Sequence, residues 1–310
     1  MSEQASARET RLTFEGTGAR QVRATALGRG THGVPDVRRM VESQFHIAFP
    51  HRVWVAGEVG APFDADDGLR FALHPSTGDD VFSLPCLVPS DGVAAVRDLL
   101  HRSHDADLED VVREGRLARV GGLLRYDAAR GAVVFLVSEL DPTPTALELA
   151  GAREAALQHV VGAGLAARQR RLDGRTAPLE VAVVAAPADA ARAQEQLAQS
   201  RYDVHLAVHP VVLTGKDAPA VLAGAVRAAG ADGDVVLLLR AQGRPLGLAT
   251  YDALEVADAV ADCPVPVVAA LGGAGTRTAT DEVAWASLPA PTDALGWLLE
   301  RLGEAEAALE

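Results

Sequence analysis

Apolar residues at Val37, Met40, Val41 and Phe45 recur three or four apart, the spacing that lines one face of a helix. Directly behind them, Val53-Trp54-Val55-Ala56-Gly57-Glu58-Val59 has the composition of a strand. Further short β-type runs follow at 69–74, 81–88, 116–125 and 132–140, with a helical stretch from Asp91 to His101 among them. Five short strands carrying an inserted helix predict an N-terminal OB-fold barrel. Within it, alternation points Phe71 and Phe82 into the core.

Asp141-Pro142-Thr143-Pro144 closes this half, and an Ala- and Leu-rich helix is expected from Thr145 to Arg171. The pattern then changes. Strand-like runs at 181–186, 204–213, 234–239 and 265–271 alternate with helical segments at 188–199, 218–229 and 251–261, with helices to the end. Such alternation predicts an α/β domain with a mainly parallel sheet covered on both faces. The expected division is a flexible tail over 1–34 with one strand near Arg11 to Phe14, an OB-type domain over 35–142, a connecting helix and linker over 143–175, and the α/β domain over 176–310.

The 310 residues carry a net charge of −13, and nearly half are apolar. No run of about 18 apolar residues appears, nor a charged segment leading into a short apolar core at the start, so the expectation is a cytoplasmic protein with no membrane span. Cys86 and Cys263 sit alone in apolar runs and are expected as reduced, buried fillers. Lys216 is the single lysine among 29 basic residues. The acidic balance opposes an extended phosphate-binding face, because counterion release from a neutralised backbone supplies most non-specific affinity. The one basic concentration is Arg168, Arg170, Arg171 and Arg175.

The run 53–59 after its helix, Glu114-Gly115-Arg116-Leu117, the strand 131–137, and Glu139-Leu140-Asp141-Pro142 together resemble the exodeoxyribonuclease VII large subunit, where a short helix leads into a strand close to V-W-V-E-G-E-I. The resemblance covers most of the chain. It implies a barrel that binds single-stranded DNA, and Arg70, Arg116, Arg119, Arg125, Arg168, Arg170 and Arg171 are the candidate nucleic-acid contacts.

In the family's second domain three loops carry the chemistry. Where it has Ser-Pro-Thr-Gly, this chain reads Ala185-Ala186-Pro187-Ala188. Where it has Gly-Arg-Gly-Gly-Gly-Ser, this chain reads Leu239-Arg240-Ala241-Gln242-Gly243-Arg244, keeping Arg240 and Gly243. Where it has Gly-His-Glu-Thr-Asp, this chain reads Gly272-Gly273-Ala274-Gly275-Thr276. Gly273 and Thr276 therefore stand in the histidine and aspartate positions, and neither can replace them as acid, base or metal ligand. Losing one positioned acid–base group removes a factor of roughly 10² to 10⁴.

Three readings follow. The leading one is a divergent large-subunit homologue that binds single-stranded nucleic acid, or a protein partner, with a degenerate nuclease site. The second is an active exonuclease using Arg240 and Asp281. The third is a binder of a small anionic ligand through Gly272, Gly273, Gly275 and Thr276, since free N–H groups at a Gly-rich turn can hold an anion. His205 and His209 share a strand face but lack a third ligand, so no cofactor is implied, and magnesium has no ligand cluster to call for it. The family's long C-terminal helices, which carry its small subunit, have no counterpart before Glu310, so that partner is not expected.

Overall fold

The structure is a computed structural model, and it describes residues 32–76, 82–174, 178–241, 243–272 and 276–308. Most of the expected tail, including the strand near Arg11 to Phe14, lies outside these residues.

Helix α1 (Val34–Ala48) begins with Pro35 in its first turn and contains no fully buried residue. It leans on the sheet through Phe45, whose ring centroid lies 5.7 Å from Phe49 and 6.0 Å from Tyr126. Then come β1 (Val53–Val59), β2 (Phe63–Ala65), β3 (Gly68–His74) and β4 (Leu84–Pro89). Helices α2 (Val93–His104) and α3 (Leu108–Val111) lead to β5 (Leu117–Asp127) and β6 (Ala132–Asp141). β1 pairs antiparallel with both β5 and β3, so the pairings run β1-β5-β6-β4-β3 and return to β1, with β2 hairpinned outside on β3. β4 and β6 are the one parallel pair in this set. Their inward side chains, among them Val59, Phe71, Val88, Val120 and Phe135, form one core, and α2 and α3 add Leu100, Leu108 and Val111 to it. Phe82 is not part of that core. It is 62% exposed, because it precedes the pairing of β4, which begins only at Leu84.

The expected helix from Thr145 to Arg171 is two helices, α4 (Thr143–Gly162) and α5 (Ala166–Arg170). Gly164 adopts φ +62°, its N–H donates to the Val161 carbonyl at 3.2 Å, and the Leu165 N–H reaches back to Val160 at 3.1 Å. This is the paired-bond termination that a left-handed glycine makes, with Leu165 and Val160 both buried beside it. The segment is anchored to the second sheet. Buried Gln169 donates Nε2–H to the Cys263 carbonyl at 2.9 Å and accepts the Val267 N–H at 2.9 Å, while Ala156 and Val160 enter the core of the second sheet.

That sheet contains β7 (Glu180–Ala185), β8 (His205–Pro210), β9 (Val235–Leu239), β10 (Val267–Ala270) and β11 (Ala286–Ser287), in the order β11-β10-β9-β7-β8 and parallel throughout. Between the strands run α6 (Pro187–Ala198), α7 (Ala218–Asp232), α8 (Leu254–Ala261) and α9 (Ala279–Val283), and α10 (Pro291–Ala307) follows. Alternate residues face opposite layers: Ala182, Val184 and Leu238 pack with α7 and α8, Val183, Leu237 and Val268 with α6 and α10. β8 is shorter than the run 204–213, because β7, its one sheet neighbour, ends at Ala185 opposite Pro210. The segment 251–261 likewise starts late, since a 3₁₀ stretch from Pro245 to Asp252 occupies its first turn. Cys86 and Cys263 are buried and unpaired.

Candidate functional site

The order of the parallel sheet decides where a site can form. The chain leaves β7 outward to β8, then crosses back past β7 to β9 and onward, so the direction of winding reverses between β7 and β9. In such sheets the loops at the carboxyl ends diverge at that point and open a crevice. Here the crevice edges are the β7–α6 turn, the loop after β9 and the loop after β10.

Those edges are tied together by the chain itself. Asp189, in the first turn of α6, accepts the Ala241 N–H at 3.0 Å. Arg240 Nη1 donates to the Leu271 carbonyl at 3.1 Å and Nη2 to the Arg244 carbonyl at 3.2 Å. A Cβ on Gly243 would collide with this guanidinium, and one on Gly247 would come within 2.8 Å of it and 3.0 Å of Asp110 Oδ2. Gly272, at φ +68°, brings its backbone against the Arg240 carbonyl, where a Cβ would lie 3.0 Å away. All three glycines pack against Arg240.

Over the crevice sit α2, α3 and the turn between them. Arg244 Nε donates to Asp107 Oδ1 at 3.2 Å and Nη1 reaches Asp105, while His101 Nε2 lies 2.9 Å from Asp107 Oδ1. Asp110, ion-paired with Arg113 at 2.8 Å, has its carboxyl pushed up by burial, with Asp107 adding to the effect and Arg113 and Arg240 opposing it. Buried Tyr251 is pushed up to about 12 by burial, against the pull of Arg240. Asp110 and Tyr251 lie in segments whose sequence gives no motif. Asp189 was legible only as an acidic residue in the first turn of the helix after β7.

Asp281, the other candidate catalytic residue, is used as a helix cap. Its Oδ2 accepts the Thr278 N–H and the Thr278 hydroxyl, both at 2.8 Å, and Oδ1 accepts the Ser287 hydroxyl at 2.8 Å. Thr276 is half-buried, and Gly273 and Gly275 lie outside the described residues.

Five of the seven candidate arginine contacts are committed or partly enclosed. Arg70 is held by Asp67 through Nε at 2.8 Å and through Nη2, and Arg130 joins them, 3.2 Å from Asp67 and 2.8 Å from Asp127. Arg119 lies 4.7 Å over the Trp54 ring and 3.1 Å from Asp141. Arg125 donates to the carbonyls of Phe49 and Leu124, and Arg168 pairs with Asp262. Burial pushes Arg116 down, with Arg113 adding repulsion. Arg170 and Arg171 are exposed and have no ion-pair partner among the described residues. The sequence reading passed over Trp54, which is 45% exposed on the outer side of β1 and stands out only by strand parity. His205 and His209 face different carboxylates, Glu180 at 2.6 Å and Asp232 at 3.1 Å. No three His, Cys, Asp or Glu converge as a metal site among the described residues.

The family model for the exonuclease VII large subunit matches residues 165–310, the stretch from α5 through the parallel sheet to the last helix. The exodeoxyribonuclease 7 large subunit of Pseudomonas aeruginosa is 27% identical over 266 residues, covering 84% of this chain and so both sheets. The chain is a divergent homologue of the exodeoxyribonuclease VII large subunit. Large subunits from Nostoc sp. and Moorella thermoacetica are each 28% identical, over 82% and 83% of this chain. The chain spans 54% to 61% of the length of these three curated relatives. A crystal structure of asparaginyl-tRNA synthetase from Pyrococcus horikoshii aligns with 29% of this chain and 19% of its own, at 16% identity and a TM-score of 0.21, too low to carry an argument. No helix among the described residues is long and apolar enough to cross a membrane.

Proposed function

We propose that this large-subunit homologue binds single-stranded nucleic acid through an OB-type N-terminal barrel and has a degenerate nuclease site. The observation that carries the proposal is the strand arrangement: β1 flanked by β3 and β5, the return of pairing through β4 and β6, and a helix between β4 and β5. This strand order supports the reading, since five-stranded Greek-key barrels take oligonucleotides on one sheet face and the adjoining loops. The stacked pair of Trp54 and Arg119 supports it, since an exposed ring beside a guanidinium is what a base and its phosphate require. Acidic residues crowd the corresponding loops: Asp64 and Asp67 between β1 and β3, Asp127 where β5 turns to β6. Binding of this kind is weak and sensitive to salt.

Degeneracy of the nuclease site rests on the retained residues as much as on the lost ones. Arg240 spends its guanidinium on two carbonyls of the crevice, and Asp281 spends both oxygens on Thr278 and Ser287. Phosphodiester hydrolysis needs donors aimed at the phosphorus oxygens and a group to move protons. A second reading, hydrolysis by a rebuilt site, is favoured by one observation: the half-buried Asp110 carboxyl, shifted upward, stands by Arg240 and could hold a proton.

Fluorescence anisotropy with a labelled oligo(dT), together with a nuclease assay on the same strand with and without magnesium, tests both. Salt-sensitive binding, weakened by Trp54→Ala and without cleavage, is the expected result. Cleavage abolished by Arg240→Ala or Asp110→Asn would establish the second reading instead.

A further inference from the structure

We propose that a cleft between α4, α5 and the segment entering α9, apart from the barrel and its nucleic-acid face, binds a phosphomonoester carried on an apolar group. The cleft has a volume of about 750 Å³, within the range of small-molecule sites. Its wall is apolar: Leu157, Val160 and Val161 from α4, Ala166 and Ala167 from α5. Its polar groups are of nearly one sign. Arg153, Arg170, Arg171 and Arg277 face Glu282 as the sole carboxylate of the lining, in a chain whose net charge is −13.

The partners of these arginines separate framework from recognition. Arg277 Nε is 2.9 Å from Glu282, and Arg153 donates to the Arg277 carbonyl, so these two fix the mouth of the cleft and join α4 to the loop after β10. Arg168, one residue outside the lining, is neutralised by Asp262. Arg170 and Arg171 have no such partner among the described residues. Two free guanidinium forks beside an apolar wall are complementary to a terminal phosphate, which offers three oxygens and up to two charges, more than to a carboxylate. Val161, 81% exposed on the rim, gives the apolar part of the ligand a surface to cover. The break at Gly164 shapes the cleft, because an unbroken helix could not carry Ala166 to Arg171 around its end.

The probe is 1-naphthyl phosphate, titrated into the full chain by isothermal calorimetry beside 1-naphthol and inorganic phosphate. Saturable binding below about 1 mM is expected, roughly 10-fold or more tighter than either control, since both charge-assisted bonds and apolar burial contribute. Arg170→Ala with Arg171→Ala, and separately Val161→Glu, should each weaken it by about 10-fold or more. Both alter exposed positions, and unchanged far-UV circular dichroism would show that the fold is retained. Displacement by dTMP would identify a nucleotide as the source of the phosphate, and displacement by octyl phosphate alone an alkyl phosphate. No saturable binding, or an affinity unchanged from the native protein in either variant, would overturn the proposal.

Discussion

Replacing Asp67 and Asp127 together by Asn should strengthen single-strand binding and steepen its salt dependence. In the native protein these carboxylates neutralise Arg70 and Arg130 on β3 and at the β5–β6 turn, on the side proposed to take a single strand. Each arginine released to a phosphate adds about 0.7 to the slope of log affinity against log salt for single strands. Arg130, 54% exposed, is free to turn outward and counts as one contact, whereas the Arg70 side chain, 12% exposed, must swing out to count. The slope should therefore steepen by roughly 0.7 to 1.4, which between 50 and 200 mM salt is a further loss of about 3-fold to 7-fold in affinity. Anisotropy titrations of a labelled oligo(dT) at four salt concentrations measure it. An unchanged slope, with the variant folded, would show that this side of the barrel does not meet the phosphate backbone.

Asp281→Ala should cost about 3 kcal/mol, since a buried capping carboxylate and three charge-assisted bonds are lost together and non-additively; urea unfolding measures it, and a loss under about 0.5 kcal/mol would contradict the capping role. Gly272→Ala should cost about 2 kcal/mol, from the left-handed backbone and the close Arg240 carbonyl, and the same assay reads it. Asp110 gives the stability curve a sign. Its folded value lies above the ordinary 3.8, so the folded state binds the proton more tightly, and stability falls as pH rises from about 3.8 through the folded value. Asp110→Asn should remove that decline, visible as a flatter stability profile above about pH 3.8.

Much of the fold could be read along the chain because most strands announce themselves by short β-branched runs and most helices by spacing. β1, β5, β6, β7 and β9 fall within two or three residues of the expected bounds. The errors have local causes. Gly164 is one of many glycines, and its positive φ, which ends α4, depends on the bonds it makes with Val161 and Val160. β2 and β11 are too short, at three and two residues, to leave a periodic trace. The site was less legible. Motif comparison found Arg240 and Asp281, but whether a guanidinium or carboxylate is available depends on carbonyls and hydroxyls distant in sequence, such as Leu271 and Ser287. Asp110, brought to Arg240 by the packing of α3 on the 3₁₀ stretch, carries no signal in its own neighbourhood.

Lys216 lies exposed just beyond β8, after Gly215 at φ +73°, and so at the same carboxyl edge of the sheet as Arg240 and Gly272. As the only lysine in the sequence, it makes the side-chain amine a unique address for acylating dyes and cross-linkers. A fluorophore attached there would view the crevice from outside, with no cysteine introduced and no native side chain removed.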